Sequence, residues 1–182
     1  MKRGFTLIEL LVVISIIATL ASVVLANLNS SRYRAEVAKT AAQVRELRKA
    51  LIFFVIDTDY YPVYCGLSCT TATDPFNNPL GLEGWNGPYL ATDLSQFKHP
   101  WGGHLTIGSS DIDNDSETDL YIFLDDDEPR TDSNNNQGGV PMEALQDIDE
   151  VLDDGNLLTG EVRGLGQWST ALEGELLIRV RP

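Results

Sequence analysis

The chain has 182 residues and a formal net charge of -14 at pH 7, enough length for one domain of ordinary size. Residues 1–49 hold eight Lys or Arg against three Glu, a net charge of +5. Residues 50–182 hold five Lys or Arg against 24 Asp or Glu, a net charge of -19. Because phosphate contacts require a cationic face, this acidic region excludes nucleic acid as a main ligand.

The first stretch of the chain is almost uninterruptedly apolar. From Phe5 through Ala26 the only charged side chain is Glu9. A helix over this stretch rises about 33 Å, which is enough to cross a bilayer. Lys2 and Arg3 stand directly before Gly4, at the front of this stretch, which predicts a retained membrane segment with a cytoplasmic N-terminus and the remaining chain outside.

Glu9 is the unusual residue of this segment, because a carboxylate near the hydrocarbon core costs roughly 2.5 to 3.5 kcal/mol on insertion scales. No Lys, Arg or His follows within a helical turn. Cleavage between Gly4 and Phe5 would create an α-amine at Phe5. Within one chain this amine is poorly placed to reach Glu9, but between staggered copies it can meet the carboxylate of the next, which makes a repeating head-to-tail contact.

The string GFTLIELLVVISIIATLA resembles the class III signal sequence of type IV prepilins and type II secretion pseudopilins. In that family a membrane peptidase cuts after the Gly and N-methylates the new terminal Phe, and the Glu assists filament assembly. Gly4, Phe5 and Glu9 match these positions. The resemblance implies a leader peptide at residues 1–4. The partners that it implies are the prepilin peptidase, an inner-membrane assembly platform with its motor, minor pilins and other copies of the chain.

A helical pattern continues beyond the apolar run. It predicts one helix from Phe5 to about Asp57, on the order of 80 Å long, with residues 5–28 in the membrane or filament core and residues 29–57 packed on a sheet. The apolar positions at three-four spacing are Val37, Ala41, Val44, Leu47, Leu51 and Phe54. Weak helix formers at Asn27, Asn29, Ser30 and Ser31 predict a bend or local melting between the halves.

Pro62 cannot continue a helix, so the stretch Asp57–Pro62 is expected to end it and to begin a globular region over residues 58–182. Cys65 and Cys69 are the only cysteines, and the intervening Gly allows them to close a small-loop disulfide. A metal site is the alternative, but it needs two further ligands. Redox catalysis is disfavoured because the spacing is not C-x-x-C.

Two segments further along resemble the major pseudopilins. Trp85–Leu90 contains a GPYL sequence, and His99–Gly103 is similar to the DPWG turn that opens the sheet in that family. His99 stands where the family usually has Asp. From the residues alone, Tyr89 and Trp101 are predicted as core aromatics that fix the loop on the helix.

The remaining chain predicts strands and one short helix. The strands are His104–Ile107, Leu120–Leu124, Glu175–Val180 and a weaker one near Glu161–Arg163, and their short connections favour an antiparallel sheet. With the long helix on one side, the fold class is α+β, the pilin fold of a helix on a small meander. Residues 141–152 predict an amphipathic helix whose buried edge is Met142, Leu145, Ile148 and Leu152.

An acidic loop between two predicted strands could bind calcium, because oxygen ligands at alternate positions suit that ion. Its match to an EF-hand loop is partial: Ser116 stands at the Gly position and Ile122 at the Glu position. The predicted ligands are Asp111, Asp113, Asp115 and Asp119, completed by Asp125, Asp126 or Asp127. Major pseudopilins are similar in carrying a calcium site after the first strands. A solvated acidic turn is the alternative.

The favoured function is a structural subunit of a pilus-like filament, held in the inner membrane and then polymerised through its N-terminal helix. The alternative is a minor or tip pilin that acts as a calcium-dependent adhesin or substrate-binding module. An enzyme is disfavoured, since His99 and His104 are the only histidines and no G-x-S-x-G motif is present. GPYL and HPWGG favour a secretion pseudopilus, whereas the Asp/Asn-rich insertion and the disulfide favour a pilus.

Overall fold

A computed structural model describes residues 6–62, 74–77, 80–113, 115–125, 140–164 and 175–181. Within these ranges it contains two α-helices, α1 (Leu7–Thr58) and α2 (Met142–Leu152). Four strands are described in the same ranges: β1 (His104–Ser110), β2 (Asp119–Asp125), β3 (Val162–Gly164) and β4 (Leu176–Val180). Residues 1–36 and 37–182 form two compact units.

Helix α1 has 52 residues and continues without a break through Asn27–Ser31, so the predicted local melting there was wrong. Its end lies at Thr58, one residue beyond the predicted Asp57. There the Thr58 hydroxyl donates to Phe54 O at 2.7 Å, and Asp59 N donates to Val55 O at 2.8 Å. Asp59 adopts a left-handed conformation with φ 50°, which closes the last turn as in other helix C-termini.

The second half of α1 supplies one wall of the core in residues 37–182. All six predicted core positions of this helix are buried, and Ala50 and Val55 join them. Arg48 Nη2 donates to Arg179 O at 3.5 Å, which links the helix to β4. The fold is the predicted α+β pilin fold, a long N-terminal helix packed on a small antiparallel sheet.

The four described strands are all antiparallel, in the order β1-β2-β4-β3. The C-terminal strand β4 lies between β2 and β3. The predicted meander, in which consecutive strands are neighbours in the sheet, was therefore wrong. A central strand needs apolar side chains on both faces, and β4 buries Leu176, Leu177, Ile178 and Val180. Strand β3 has only three residues, which suits an edge position.

The sheet contributes apolar side chains from both faces. On one face the cross-strand pairs Leu105–Leu124, Ile107–Ile122 and Ile122–Ile178 are fully buried. On the other face Phe123 and Leu177 pack with Ile112 and Tyr121. Every predicted strand is present. Each one has enough apolar side chains, alternating or continuous along the strand, to pack against a core.

Helix α2 begins at Met142, one residue after the predicted Pro141, and ends at Leu152 as predicted, but its buried stripe differs. Leu145 and Ile148 are buried as expected, whereas Met142 is 39% exposed and Leu152 is half-buried. Met142 is the first residue of the helix. The stripe is completed instead by Ala144 and by Asp149, a carboxylate that was not among the predicted buried residues or the predicted ligands.

Candidate functional site

The first candidate site is the apolar surface at the start of α1. Among the described residues of 7–28, each large apolar side chain is roughly half exposed or more, from Val13 at 46% to Leu7 at 79%. Among the described residues, α1 is the one helix long and apolar enough to cross a membrane by length and composition. A surface of this kind is unstable in water and requires lipid or another apolar surface to cover it.

The polar side chains inside this surface are satisfied within the helix. The hydroxyl of Ser15 donates to Leu11 O at 2.8 Å, that of Thr19 to Ser15 O at 2.9 Å and that of Ser22 to Thr19 O at 2.7 Å. Such bonds remove the cost of leaving a hydroxyl without a partner in hydrocarbon. The three residues therefore do not interrupt the apolar surface.

Glu9 has a local partner that sequence reasoning did not identify. Its Oε2 accepts hydrogen bonds from both the backbone N–H and the hydroxyl of Thr6, each at 2.8 Å, and Glu9 N donates to Thr6 Oγ1 at 3.3 Å. This is a capping box, whose T-x-x-E signature was readable in the sequence. Gly4 and Phe5, the predicted processing residues, lie outside the described residues.

The second candidate site is the acidic loop between β1 and β2. Carboxylate oxygens of Asp111, Asp113 and Asp115 lie within 4.8 Å of one another, and all three side chains are exposed. Both oxygens of Asp111 accept backbone hydrogen bonds, from Asp115 N at 3.1 Å and Ser116 N at 3.0 Å. Ser116 has φ 71°, so it adopts the left-handed conformation for which EF-hand loops use Gly.

Asp119 does not belong to this group of three and pairs with Arg179 of β4. Arg179 Nε lies 3.2 Å from Asp119 Oδ1, and Arg179 Nη2 bonds Asp113. The guanidinium therefore lies between the loop and the start of β2. Its hydrogen bond to Asp113 holds the pKa of that carboxyl below its usual range.

Asp125 lies at the far end of β2 and was predicted to complete the calcium site, but the structure places it too far away. Asp119 pairs with Ser110 and Asp125 pairs with His104, at opposite ends of the β1–β2 ladder. At about 3.3 Å per residue these ends are roughly 20 Å apart, too far to share an ion. Asp126 and Asp127 lie outside the described residues, as do Cys65 and Cys69.

Asp125 instead takes part in the turn that opens the sheet. His99 Nε2 lies 2.9 Å from Asp125 O, and His99 N donates to Gly103 O at 3.1 Å. Burial lowers the pKa of His99 to about 4. The imidazole is therefore neutral at pH 7 and donates to the carbonyl, so in this chain His99 is a structural residue.

Both predicted core aromatics are half-buried. Tyr89 packs edge-on against Phe54 with ring centroids 5.7 Å apart, and its hydroxyl donates to Asp57 Oδ2 at 2.9 Å. This fixes the GPYL segment on α1 as expected. Trp101 contacts the ring of His99, with the ring centroids 6.0 Å apart.

Comparisons with known proteins identify two matching families. Residues 1–25 match the prokaryotic N-terminal methylation motif, and residues 27–138 match protein G of the type II secretion system. The chain is 31% identical over 131 residues to the type II secretion system core protein G of Aeromonas hydrophila, covering 65% of this chain and 88% of that protein.

Two further relatives show the range of similarity. Identity to the core protein G of Klebsiella pneumoniae is 39% over 107 residues, covering 58% of this chain and 74% of the relative. Identity to the type IV wide pilus major component PilA4 of Thermus thermophilus is 38% over 81 residues, covering 41% of this chain and 62% of the relative. No solved structure matches the chain.

Proposed function

Since this chain belongs to the type II secretion system protein G family and is a structural subunit of pilin type, we propose that it polymerises through the start of α1 into a secretion pseudopilus. The single observation that carries this proposal is the exposed apolar surface of α1 with Glu9 as its only charge before Arg32. Lipid covers this surface before assembly, and the same surface of neighbouring copies covers it in the filament.

Processing and assembly are linked at Glu9. A prepilin peptidase cuts after Gly4 and methylates the amine of Phe5. In the single chain Glu9 is held by the N–H and hydroxyl of Thr6. In the filament the Phe5 amine of a neighbouring copy replaces these neutral donors, because a hydrogen bond between charged groups is stronger in a low dielectric.

The placement of the chain follows from its charges. Lys2 and Arg3 keep the N-terminus in the cytoplasm, α1 crosses the inner membrane, and the acidic globular region lies in the periplasm. Assembly requires the inner-membrane platform, its cytoplasmic motor and minor pilins. A pseudopilus is preferred to a pilus because the core protein G of Aeromonas hydrophila aligns over 65% of the chain, against 41% for PilA4.

A second proposal is that the loop after β1 binds one calcium ion through Asp111, Asp113 and Asp115. The donors are all carboxylate oxygens, they lie within 4.8 Å of one another, and Ser116 already has the left-handed conformation of a cation-binding turn. Bound calcium would neutralise Asp111 and Asp115, which Arg179 does not pair with, and would fix the loop on the sheet. We further propose a disulfide between Cys65 and Cys69.

The test of assembly compares Glu9→Ala with Glu46→Ala, an exposed carboxylate on the same helix. We expect Glu9→Ala to remove sheared filaments while the subunit stays in the membrane and its globular region keeps its circular dichroism spectrum. Glu46→Ala should assemble normally. Filaments from Glu9→Ala at the wild-type yield would contradict the proposal.

Intact mass spectrometry of the membrane fraction tests processing. The expected mass begins at methylated Phe5, and if Cys65 and Cys69 are joined, reduction with a thiol or phosphine reductant adds the mass of two hydrogen atoms. A mass that still includes Met1–Gly4, in cells that contain the peptidase, would reject the filament pathway. An unchanged mass on reduction would reject only the disulfide.

A further inference from the structure

The C-terminal end of α2 holds a buried carboxylate without a hydrogen-bond donor. The Asp149 side chain is 0% exposed, and within the residues that the structure describes neither of its oxygens accepts a hydrogen bond. The N–H groups of Asp154 and Gly155 favour its charged form, but neither reaches hydrogen-bond geometry with it. A buried charge in this state is costly unless a cation or a proton accompanies it.

Two other carboxylates point to a cation. One oxygen from each of Asp149, Asp153 and Asp154 lies within 4.8 Å of the others. Calcium binds oxygen at 2.3–2.6 Å, so ligands of one ion are separated by up to about 5 Å. Three carboxylates this close repel one another, and burial together with the charges of Asp154 and Asp153 raises the pKa of Asp149 to about 6.

The turn after α2 holds these carboxylates in place. Asp153 Oδ2 accepts the N–H groups of Glu161 and Val162, the latter at 3.2 Å. Asp154 Oδ1 accepts Asn156 N at 2.9 Å, and its Oδ2 accepts the Thr159 hydroxyl at 2.7 Å. The oxygens are therefore fixed by the loop before any ion arrives, which lowers the entropic cost of binding.

Among the described residues, the neighbouring cations do not neutralise Asp149. Arg45 Nη2 donates to Val151 O at 2.7 Å, and Arg163 Nε donates to Gly160 O at 3.0 Å. The Arg163 charge acts on Asp154, whose pKa is lowered chiefly by the Thr159 hydroxyl. The last turn of α2 contains no basic residue, so its carbonyl groups add negative potential at the same place.

We propose that Asp149, Asp153 and Asp154 bind one calcium ion, which joins the end of α2 to the edge strand β3. The donor set contains only oxygen, which suits calcium and not zinc. The site is separate from the loop after β1 and does not depend on filament assembly. Bound calcium removes the repulsion among the three carboxylates and holds Asp153 against the N–H groups that begin β3.

The test uses the full chain in detergent with the loop site removed by Asp111→Asn and Asp115→Asn. Calorimetric titration with calcium chloride in excess magnesium should still show one bound calcium. Adding Asp149→Asn should abolish this binding or weaken it by at least about tenfold, the scale of one lost charged ligand. Glu150→Gln removes one charge from the adjacent exposed position of α2 and should leave the affinity unchanged.

Two further readouts separate binding from a folding defect. In a chelator, Asp149→Asn should unfold at a temperature equal to or above that of the parent, because it removes a buried charge. With calcium the parent should become the more stable. Amide hydrogen exchange at Glu161 and Val162 should slow on calcium addition in the parent alone. Absence of calcium binding in the loop-site variant, or binding that Asp149→Asn and Glu150→Gln affect equally, would overturn the proposal.

Discussion

Arg179 and Asp119 join the C-terminal strand to the start of β2, with Nε of the guanidinium 3.2 Å from Oδ1 of the carboxylate. Only 11% of the Arg179 side chain and 17% of the Asp119 side chain are exposed. The same guanidinium bonds Asp113. One cation therefore neutralises two carboxylates and ties the acidic loop to the sheet, which leaves Asp111 and Asp115 as the unneutralised carboxylates of the proposed calcium site.

Replacing Arg179 by Gln should lower the free energy of unfolding by about 2–3 kcal/mol, because two carboxylates would lose their cation in a partly buried site. The measurement is urea unfolding of the full chain in detergent, followed by tryptophan fluorescence. Arg181→Gln is the control, since Arg181 is 69% exposed and its ion pair with Glu161 should contribute no more than about 1 kcal/mol. Equal losses in the two variants would contradict this assignment.

Phe54 is expected to be a main support of the packing between α1 and the loops. Its ring is fully buried and packs edge-on against the rings of Phe76 and Tyr89, with ring centroids 5.6 and 5.7 Å apart. Phe54→Ala should cost about 3–5 kcal/mol of stability, the usual range for a buried Phe. The adjacent Phe53 is 49% exposed, so Phe53→Ala should cost about 1 kcal/mol or less by the same measurement.

His99 should make stability fall as the pH drops. Burial lowers its pKa to about 4, with the nearby His104 charge adding to the effect, while the unfolded chain titrates near the ordinary value of 6.5. The unfolded state therefore binds more protons between pH 6.5 and 4. The contribution of His99 to the free energy of unfolding is fully present above pH 6.5. It is lost as the pH falls toward 4, which lowers the free energy of unfolding by up to about 3 kcal/mol.

The control for this titration is His99→Gln, which can still donate to Asp125 O but carries no titratable group. Urea unfolding at several pH values should show a shallower slope for this variant between pH 6.5 and 4. Comparing the two proteins cancels the contribution of the carboxylates that titrate in the same range. Identical slopes would mean that the imidazole does not lose protons on folding.

Gly103 should not tolerate a side chain. A Cβ at this position would lie 1.8 Å from Asp125 O and 2.4 Å from His99 Nε2, so the turn that opens β1 would have to move. Gly103→Ala should cost about 3 kcal/mol, as in other overpacked sites. Gly81→Ala should cost about 1 kcal/mol, since Gly81 has φ 60° but a Cβ there would meet no described atom within 4 Å. Thermal unfolding of both variants gives the comparison.

Much of the fold could be predicted because helices and strands are periodic over short stretches of sequence. The three-four spacing from Val37 to Phe54 identified the buried face of α1, and Pro62 marked the region where the helix ends. The capping box at Thr6 and Glu9 was equally local and could have been recognised from its spacing. The resemblance to pilins rested on short contiguous segments, chiefly residues 4–21, and the family comparison confirmed it.

Residues close together along the chain were enough to specify the long helix, the strands and the family. Folding was needed to place β4 between β2 and β3, to pair Arg179 with Asp119 across 60 residues, and to bury Asp149 beside Asp153 and Asp154. These relationships depend on strand order and on the packing of distant segments. Local periodicity contains no information about which distant side chains will meet, so the pairing of charges appeared only in the folded chain.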